Sequence, residues 1–68
     1  MKQYLRNVGL NIRQRRKASK FTLPALAEGA GISKGNLSTI ENKPCNIGLV
    51  TLIKLAAALQ CDIKDFLP

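Results

Sequence analysis

Apolar residues recur at helical spacing near both ends of the chain. Leu5, Val8 and Ile12 are three or four positions apart, which places them on one face of a first helix. The pattern continues through the basic residues 13–17 and stops at Ser19. A later helix is predicted by the same spacing of a second apolar set, which we expect to form one face: Leu49, Leu52, Ile53, Ala56 and Leu59.

Capping residues divide the middle of the chain into two shorter helices. The Thr22 hydroxyl can cap a second helix over about residues 23–29. Gly31 can adopt the left-handed conformation that ends a helix, and Ser33 can cap a third helix over about residues 34–41. Because so few residues separate these two helices, the chain must turn sharply between them.

The end of the chain carries the last predicted element. Asp62 can cap a short helix with apolar residues at Ile63, Phe66 and Leu67. Hydrophobic residues make up 46% of the chain, but only one is Tyr and two are Phe, so the core consists mainly of aliphatic side chains. This composition favours packed helices. We therefore predict an all-α fold of five helices in one domain spanning residues 1–68.

Positive charge is concentrated in the first part of the chain. The formal net charge is +7, from 11 Lys and Arg against 4 Asp and Glu. Residues 1–43 hold nine of the basic and two of the acidic residues, whereas residues 44–68 hold two of each. Such a surface suits a polyanionic partner, or it serves only solubility.

Other kinds of chemistry find little support in the sequence. There is no His, and Cys45 and Cys61 lack the spacing of a zinc or redox motif, so we expect free thiols, with Cys45 in a loop and Cys61 in the core. We predict no metal or cofactor, and four scattered carboxylates do not indicate an enzyme. The polar residues near the N-terminus exclude a signal peptide, which predicts a cytoplasmic protein.

The third helix has one distinctive face. Leu37 and Ile40 point inward on a helical wheel, and the opposite side is small and polar: Gly35, Ser38, Thr39 and Asn42. A helix that lies in a DNA major groove needs such a face, without acidic groups to repel phosphate or large apolar groups to bury. An ordinary solvated surface has the same pattern, so this stripe alone leaves both interpretations open.

Residues 23–41 resemble the helix-turn-helix segment of phage repressor, Cro and XRE-like regulators. The family's small, turn, apolar, capping and inner-face positions are occupied here by Ala27, Gly31, Ile32, Ser33, Leu37 and Ile40. Glu41 ends the segment as a Glu commonly does in the family, and the likeness extends over residues 8–67. The resemblance implies a sequence-specific regulator of transcription, of repressor type, that binds double-stranded DNA at a palindromic operator as a homodimer.

The same resemblance assigns roles to individual residues. The positions that read base edges are Lys34, Gly35, Ser38 and Thr39, and those that contact phosphate are Arg13, Arg16, Ser33, Asn36, Asn42 and Lys43. The structural positions are Ala27, Gly31 and Glu41, and in the family an Arg pairs with the Glu, which predicts an Arg16–Glu41 pair. Leu23 departs from the pattern, because the family commonly has a DNA-contacting Gln there. Gly35 also departs from it, since that position often carries a reading side chain.

Two questions stay open at this point. The resemblance places dimer contacts near Pro44, Leu59, Gln60, Phe66 and Leu67, but the apolar members of this set also suit the core. The main alternative function is a protein-interaction module, such as the antitoxin of a toxin pair. It would favour aromatic or aliphatic anchors on the outer face of the third helix, where none occurs.

Overall fold

The computed structural model describes residues 2–44 and 46–67. Regular structure in these ranges is entirely helical, which confirms the all-α prediction: α1 (Lys2–Ala18), α2 (Leu23–Ala30), α3 (Lys34–Asn42), α4 (Leu49–Leu59) and a 3-10 helix (Ile63–Phe66). None of these helices has both the length and the apolar character needed to cross a membrane.

The prediction of five helices is wrong in its last element. The described residues form four α-helices, and the fifth segment is a 3-10 helix of four residues. Its backbone bonds run from Asp65 to the carbonyl of Asp62 at 3.0 Å and from Leu67 to that of Lys64 at 3.2 Å. Segments of this length commonly form the tighter i→i+3 bonds of a 3-10 helix, which is rarely longer than three or four residues.

The turn between α2 and α3 has the geometry predicted from its glycine. Gly31 has a φ of 71°, a left-handed conformation that costs other residues energy. Its backbone N–H donates to the Glu28 carbonyl at 3.1 Å, and the Ile32 N–H donates to the Ala27 carbonyl at 3.0 Å. These bonds satisfy the last carbonyls of α2 and turn the chain directly into α3.

The N-caps predicted for α2 and α3 are confirmed. The Thr22 hydroxyl accepts a hydrogen bond from the Ala25 N–H at 3.2 Å, and the Ser33 hydroxyl accepts one from the Asn36 N–H at 3.1 Å. Each side chain satisfies a first-turn amide that has no partner within the helix. Local sequence therefore fixes where α2 and α3 begin.

Among the residues whose burial the structure describes, the core is aliphatic except for the ring of Phe66. Its fully enclosed apolar residues come from every helical element: Ile12, Leu26, Leu37, Leu55 and Phe66. The predicted inner face of α4 is only partly correct, because Leu49 and Ile53 are exposed, and Leu55 is buried instead. On the helical wheel Leu49 and Ile53 lie on the side of α4 away from α2, and the opposite, buried side of α4 packs against α2.

The open question about the apolar dimer contacts is settled for two residues. Phe66 is 0% exposed and Leu59 is 7% exposed, so both complete the core and cannot form a surface contact. Cys61 is a free thiol that packs partly buried against the core, and burial raises the pKa of its thiol. The loop predicted at Cys45 lies outside the described residues.

Helix α1 packs closely against the end of α3. A Cβ atom built on Gly9 would overlap the backbone carbonyl oxygen of Ile40. The absence of a side chain at Gly9 therefore sets the distance between the two helices. This contact fixes the position of α3 relative to the rest of the core.

Candidate nucleic-acid interface

The two faces of α3 are separated as predicted. Leu37 and Ile40 are buried in the core, whereas Gly35, Thr39 and Asn42 are exposed. Ser38, at the flank of this face, is half-buried. Four further residues on or beside the face are exposed: Ser33, Lys34, Asn36 and Lys43. The exposed side of α3 thus carries small, polar or basic groups and no carboxylate.

Two polar side chains on this face bond to the helix itself. The Thr39 hydroxyl donates to the Gly35 carbonyl at 3.1 Å, and the Asn42 amide nitrogen donates to the Ser38 carbonyl at 2.8 Å. The Thr39 oxygen keeps its lone pairs, and its methyl group needs no partner. Thr39 can therefore accept a hydrogen bond from a base amino group or contact a thymine methyl group.

The predicted pair between α1 and α3 is present. Arg16 Nε lies 2.8 Å from Glu41 Oε2, and Arg16 Nη2 donates to Glu41 Oε1 at 3.0 Å. Arg16 Nη1 also donates to the Phe21 carbonyl at 2.9 Å, and the exposed fractions of the Arg16 and Glu41 side chains are 11% and 1%. This bidentate geometry braces α3 and leaves little of the Arg16 guanidinium for a phosphate.

Sequence reasoning missed a second arginine that acts on α3. Arg6 Nη1 donates to the backbone carbonyl of Glu41 at 2.7 Å, at the end of α3 where carbonyls lack helical partners. A guanidinium also complements the negative end of the helix dipole. The close packing at Gly9 was also missed. Its sign in the sequence is a glycine within a helical pattern, which usually has a packing reason.

A cleft between α3 and the start of α4 adjoins the exposed face. It has a volume of about 180 Å³, and its polar lining includes two residues absent from the sequence predictions, Asn46 and Thr51, beside Asn36 and Thr39. The N-cap of α4 is Gly48, which makes no side-chain capping bond. The positive end of the α4 dipole lies at this cleft, an arrangement that favours anions. The sign of this cleft that the sequence analysis missed is Gly48, which leaves the start of α4 without a side-chain cap.

Leu23, at the start of α2, differs from the glutamine common in the family in its position as well as its chemistry. Leu23 is partly buried against the core and does not project as a polar group. Any DNA contact that a glutamine would make at this position is absent from this chain.

Comparison with known proteins agrees with the geometry of α2 and α3. Residues 11–68 match the family described as Cro/C1-type HTH DNA-binding domain. The HTH-type transcriptional regulator SinR of Bacillus subtilis is 38% identical over 61 residues, which cover 88% of this chain and 55% of SinR. The chain thus spans about half the length of the curated relatives it matches.

Two solved structures extend the likeness to three dimensions. The restriction-modification controller protein C.AhdI from Aeromonas hydrophila superposes with a TM-score of 0.87 at 27% identity, covering 91% of this chain and 94% of C.AhdI. The structure of SinR, the master regulator for biofilm formation, in complex with DNA superposes with a TM-score of 0.82 at 37% identity. The match covers 87% of this chain and 95% of that SinR chain. With the family match over most of its length, the chain belongs to the Cro/C1-type helix-turn-helix DNA-binding domains.

Proposed function

We propose that this chain binds double-stranded DNA sequence-specifically by inserting α3 into the major groove and that it represses transcription by occupying an operator. The observation that carries the proposal is the exposed face of α3, which is small, polar and free of carboxylates. A similar chain, SinR, has been solved in complex with DNA. The net charge of +7, confined to residues 1–43, supplies the attraction for phosphate.

The reading residues in this proposal lie at the start and middle of α3. Lys34 stands in the first turn, where a recognition helix enters the groove most deeply, and Thr39 lies on the exposed face one turn beyond Gly35. Gly35 and Ser38 lie between them in the chain, and a Cβ placed on Gly35 would have no atom within 4 Å apart from its chain neighbours and the backbone of its own helix. The open space at Gly35 allows the backbone to come close to the base edges.

The phosphate contacts lie around this face. We assign them to Arg13, Ser33, Asn36, Asn42 and Lys43, of which all but the half-buried Arg13 are exposed. The Ser33 hydroxyl accepts its capping bond, so its hydrogen remains free to donate to a phosphate oxygen. Arg16 was predicted in this group, but its bonds to Glu41 and Phe21 favour a bracing role.

Two copies are needed to cover an operator of useful length. One recognition helix contacts only a few base pairs, and paired half-sites lie about 34–36 Å apart on the duplex. We infer that residues 1–68 act as one DNA-binding unit and that two such units bind a palindromic site.

The alternatives have less support in the same observations. A protein-interaction module, such as an antitoxin, would favour apolar anchors on the outer face of α3, and this face has none among its exposed residues. An enzyme would need converging catalytic groups, whereas the sequence has no His and Glu41 is engaged by Arg16.

Three single substitutions separate residues that read sequence from residues that hold the duplex. Lys34→Ala and Thr39→Ala should each change the preferred base at one position per half-site and cost about 1–3 kcal/mol on the original operator. Lys43→Ala should weaken binding to every duplex about equally and make the log-log salt slope shallower by about one unit per protomer, because Lys43 follows the end of α3.

The measurement is a set of affinities for a library-selected operator and its single-base variants at two salt concentrations. Lys43→Ala is the matched control, since it removes the same charge as Lys34→Ala. If Lys43→Ala altered base preference while Lys34→Ala and Thr39→Ala left it intact, the proposed orientation of α3 would be wrong.

A further inference from the structure

Thr39 uses its hydroxyl hydrogen within α3. Its Oγ1 lies 3.1 Å from the carbonyl oxygen of Gly35, four positions earlier in the chain. A carbonyl oxygen carries no hydrogen, so the hydrogen of this bond comes from Thr39. The Thr39 oxygen therefore presents only lone pairs to its surroundings. It can accept a hydrogen bond from another molecule, but it has no hydrogen left to donate.

The same bond fixes the direction of the Thr39 side chain. A helical threonine divides between two rotamers, because its oxygen can bond to a carbonyl of the preceding turn, and Thr39 makes that bond. Helical side chains point toward the N-terminus of their helix, so Thr39 lies over the turn that contains Gly35. Gly35 has no side chain to cover it, and both residues are exposed. The acceptor oxygen of Thr39 is thus held in place and open to a ligand.

A second side chain on this face bonds to the helix in the same way. Asn42, also exposed, donates from Nδ2 to the Ser38 carbonyl oxygen at 2.8 Å, and the same nitrogen lies 3.5 Å from Ser38 Oγ. Its Oδ1 is an acceptor, and Nδ2 has a second hydrogen for the phosphate contact assigned above. The outer face around Thr39 is therefore complementary to groups that donate hydrogen bonds.

Hydrogen-bond donors in the major groove of DNA belong to one chemical class. Adenine presents its N6 amino group there and cytosine its N4 amino group, whereas guanine O6, guanine N7 and thymine O4 are acceptors. The lone pairs of Thr39 Oγ1 bond to an amino group and repel an acceptor. Thymine offers a methyl group to the Thr39 methyl, but it places its O4 acceptor next to that methyl group.

The energetics of the hydroxyl favour the same class. To donate to guanine or thymine, Thr39 must give up its bond to the Gly35 carbonyl, and exchanging one hydrogen bond for another yields little net free energy. Accepting from an amino group adds a second bond and keeps the first. An amino group is therefore the partner that gains most from this geometry.

From these observations we propose that Thr39 reads the exocyclic amino group of an adenine or a cytosine, and that an operator methylated on that amino nitrogen binds more weakly. The proposal deepens the proposed function and rests on it. In a duplex, each amino group uses one hydrogen in the base pair and has the other in the major groove. A methyl group on the nitrogen takes the place of the groove hydrogen, so the base pair is kept while the donor for Thr39 is lost.

Two substitutions at Thr39 separate its oxygen from its methyl group. Thr39→Val retains the shape of the side chain without the oxygen, whereas Thr39→Ser retains the hydroxyl without the methyl group. On a library-selected half-site duplex, we expect Thr39→Val to lose about 2- to 10-fold in affinity, the effect of one hydrogen bond, and Thr39→Ser to lose less. Because Thr39 is exposed, both variants should fold, which a thermal melt checks. An equal or larger loss from Thr39→Ser would overturn the proposal.

Methylated duplexes test the amino group itself. The base pair read by Thr39 is first identified as the one at which Thr39→Ala relaxes the base preference. The half-site is then synthesised with N6-methyladenine or N4-methylcytosine at that pair. We expect methylation to weaken binding of the wild-type chain by about 2- to 10-fold more than binding of Thr39→Val, because valine meets the same added methyl group but has no hydrogen bond to lose.

The control duplex carries the same methylated base outside the half-site, where it should leave affinity unchanged. Equal effects of half-site methylation on the wild-type chain and Thr39→Val would overturn the proposal, since Thr39 would then make no bond to the amino group. If the wild-type chain instead bound the unmethylated selected half-site no better than an unrelated duplex, the proposed function itself would be refuted.

Discussion

Glu41→Gln is expected to destabilise the fold by about 3 kcal/mol. The substitution removes the negative charge that Arg16 Nε and Nη2 contact at 2.8 and 3.0 Å while it keeps the shape of the side chain. Glu41 is 1% exposed, so the Arg16 guanidinium would lose its partner in a site largely closed to water. Chemical unfolding followed by circular dichroism measures the loss.

Asp65→Asn is the matched control for Glu41→Gln. Asp65 pairs with Arg15 at 2.9 Å, but the side chains are 34% and 43% exposed, so the same amide substitution should cost less than about 1 kcal/mol. The double variant Arg16→Met with Glu41→Leu should recover stability, because it removes both buried charges and retains volume. Equal losses from Glu41→Gln and Asp65→Asn would show that burial of the Arg16–Glu41 pair has no energetic consequence.

Gly9→Ala is expected to cost about 1–3 kcal/mol, or more, by separating α1 from α3. The added Cβ would overlap the Ile40 carbonyl oxygen, and a backbone atom cannot rotate away as a flexible side chain can. At about 4–8 °C per kcal/mol for a domain of this size, the melting temperature should fall clearly. Displacement of α3 should also weaken operator binding.

The control for Gly9→Ala is the same substitution at Gly35, where a Cβ would have no atom within 4 Å apart from its chain neighbours and the backbone of its own helix. Gly35→Ala should leave stability unchanged or raise it by up to about 1 kcal/mol, because alanine has the higher helix propensity. If Gly9→Ala melted at the wild-type temperature, close packing of α1 on α3 would not be what positions the recognition helix.

The features predicted correctly from the sequence are the local ones. Thr22, Gly31 and Ser33 set the ends of α2 and α3 through bonds to residues a few positions away, so their residue types were sufficient. The division of α3 into an inner and an outer face likewise follows from its period. The partnership of Arg16 with Glu41 came from the family resemblance together with the wheel.

The features that were missed depend on contacts between distant segments. Arg6 lies 35 positions from Glu41, whose carbonyl it contacts, and no local sequence pattern predicts a hydrogen bond over that separation. The exposed side of α4 could not be predicted because apolar residues on all sides leave the buried direction undefined. Asn46 and Thr51 join the α3 cleft only through the way α4 starts beside it.

The central claim, sequence-specific binding of DNA, is tested most directly by one comparison of affinities across salt concentrations. Fluorescence anisotropy would measure binding to a library-selected half-site and to an unrelated duplex of the same length. With about four phosphate contacts per protomer, affinity for the half-site should fall with a log-log slope near −3.6, and the selected duplex should bind more tightly at every salt concentration. Affinity that did not fall with salt, or equal binding to both duplexes, would contradict the account.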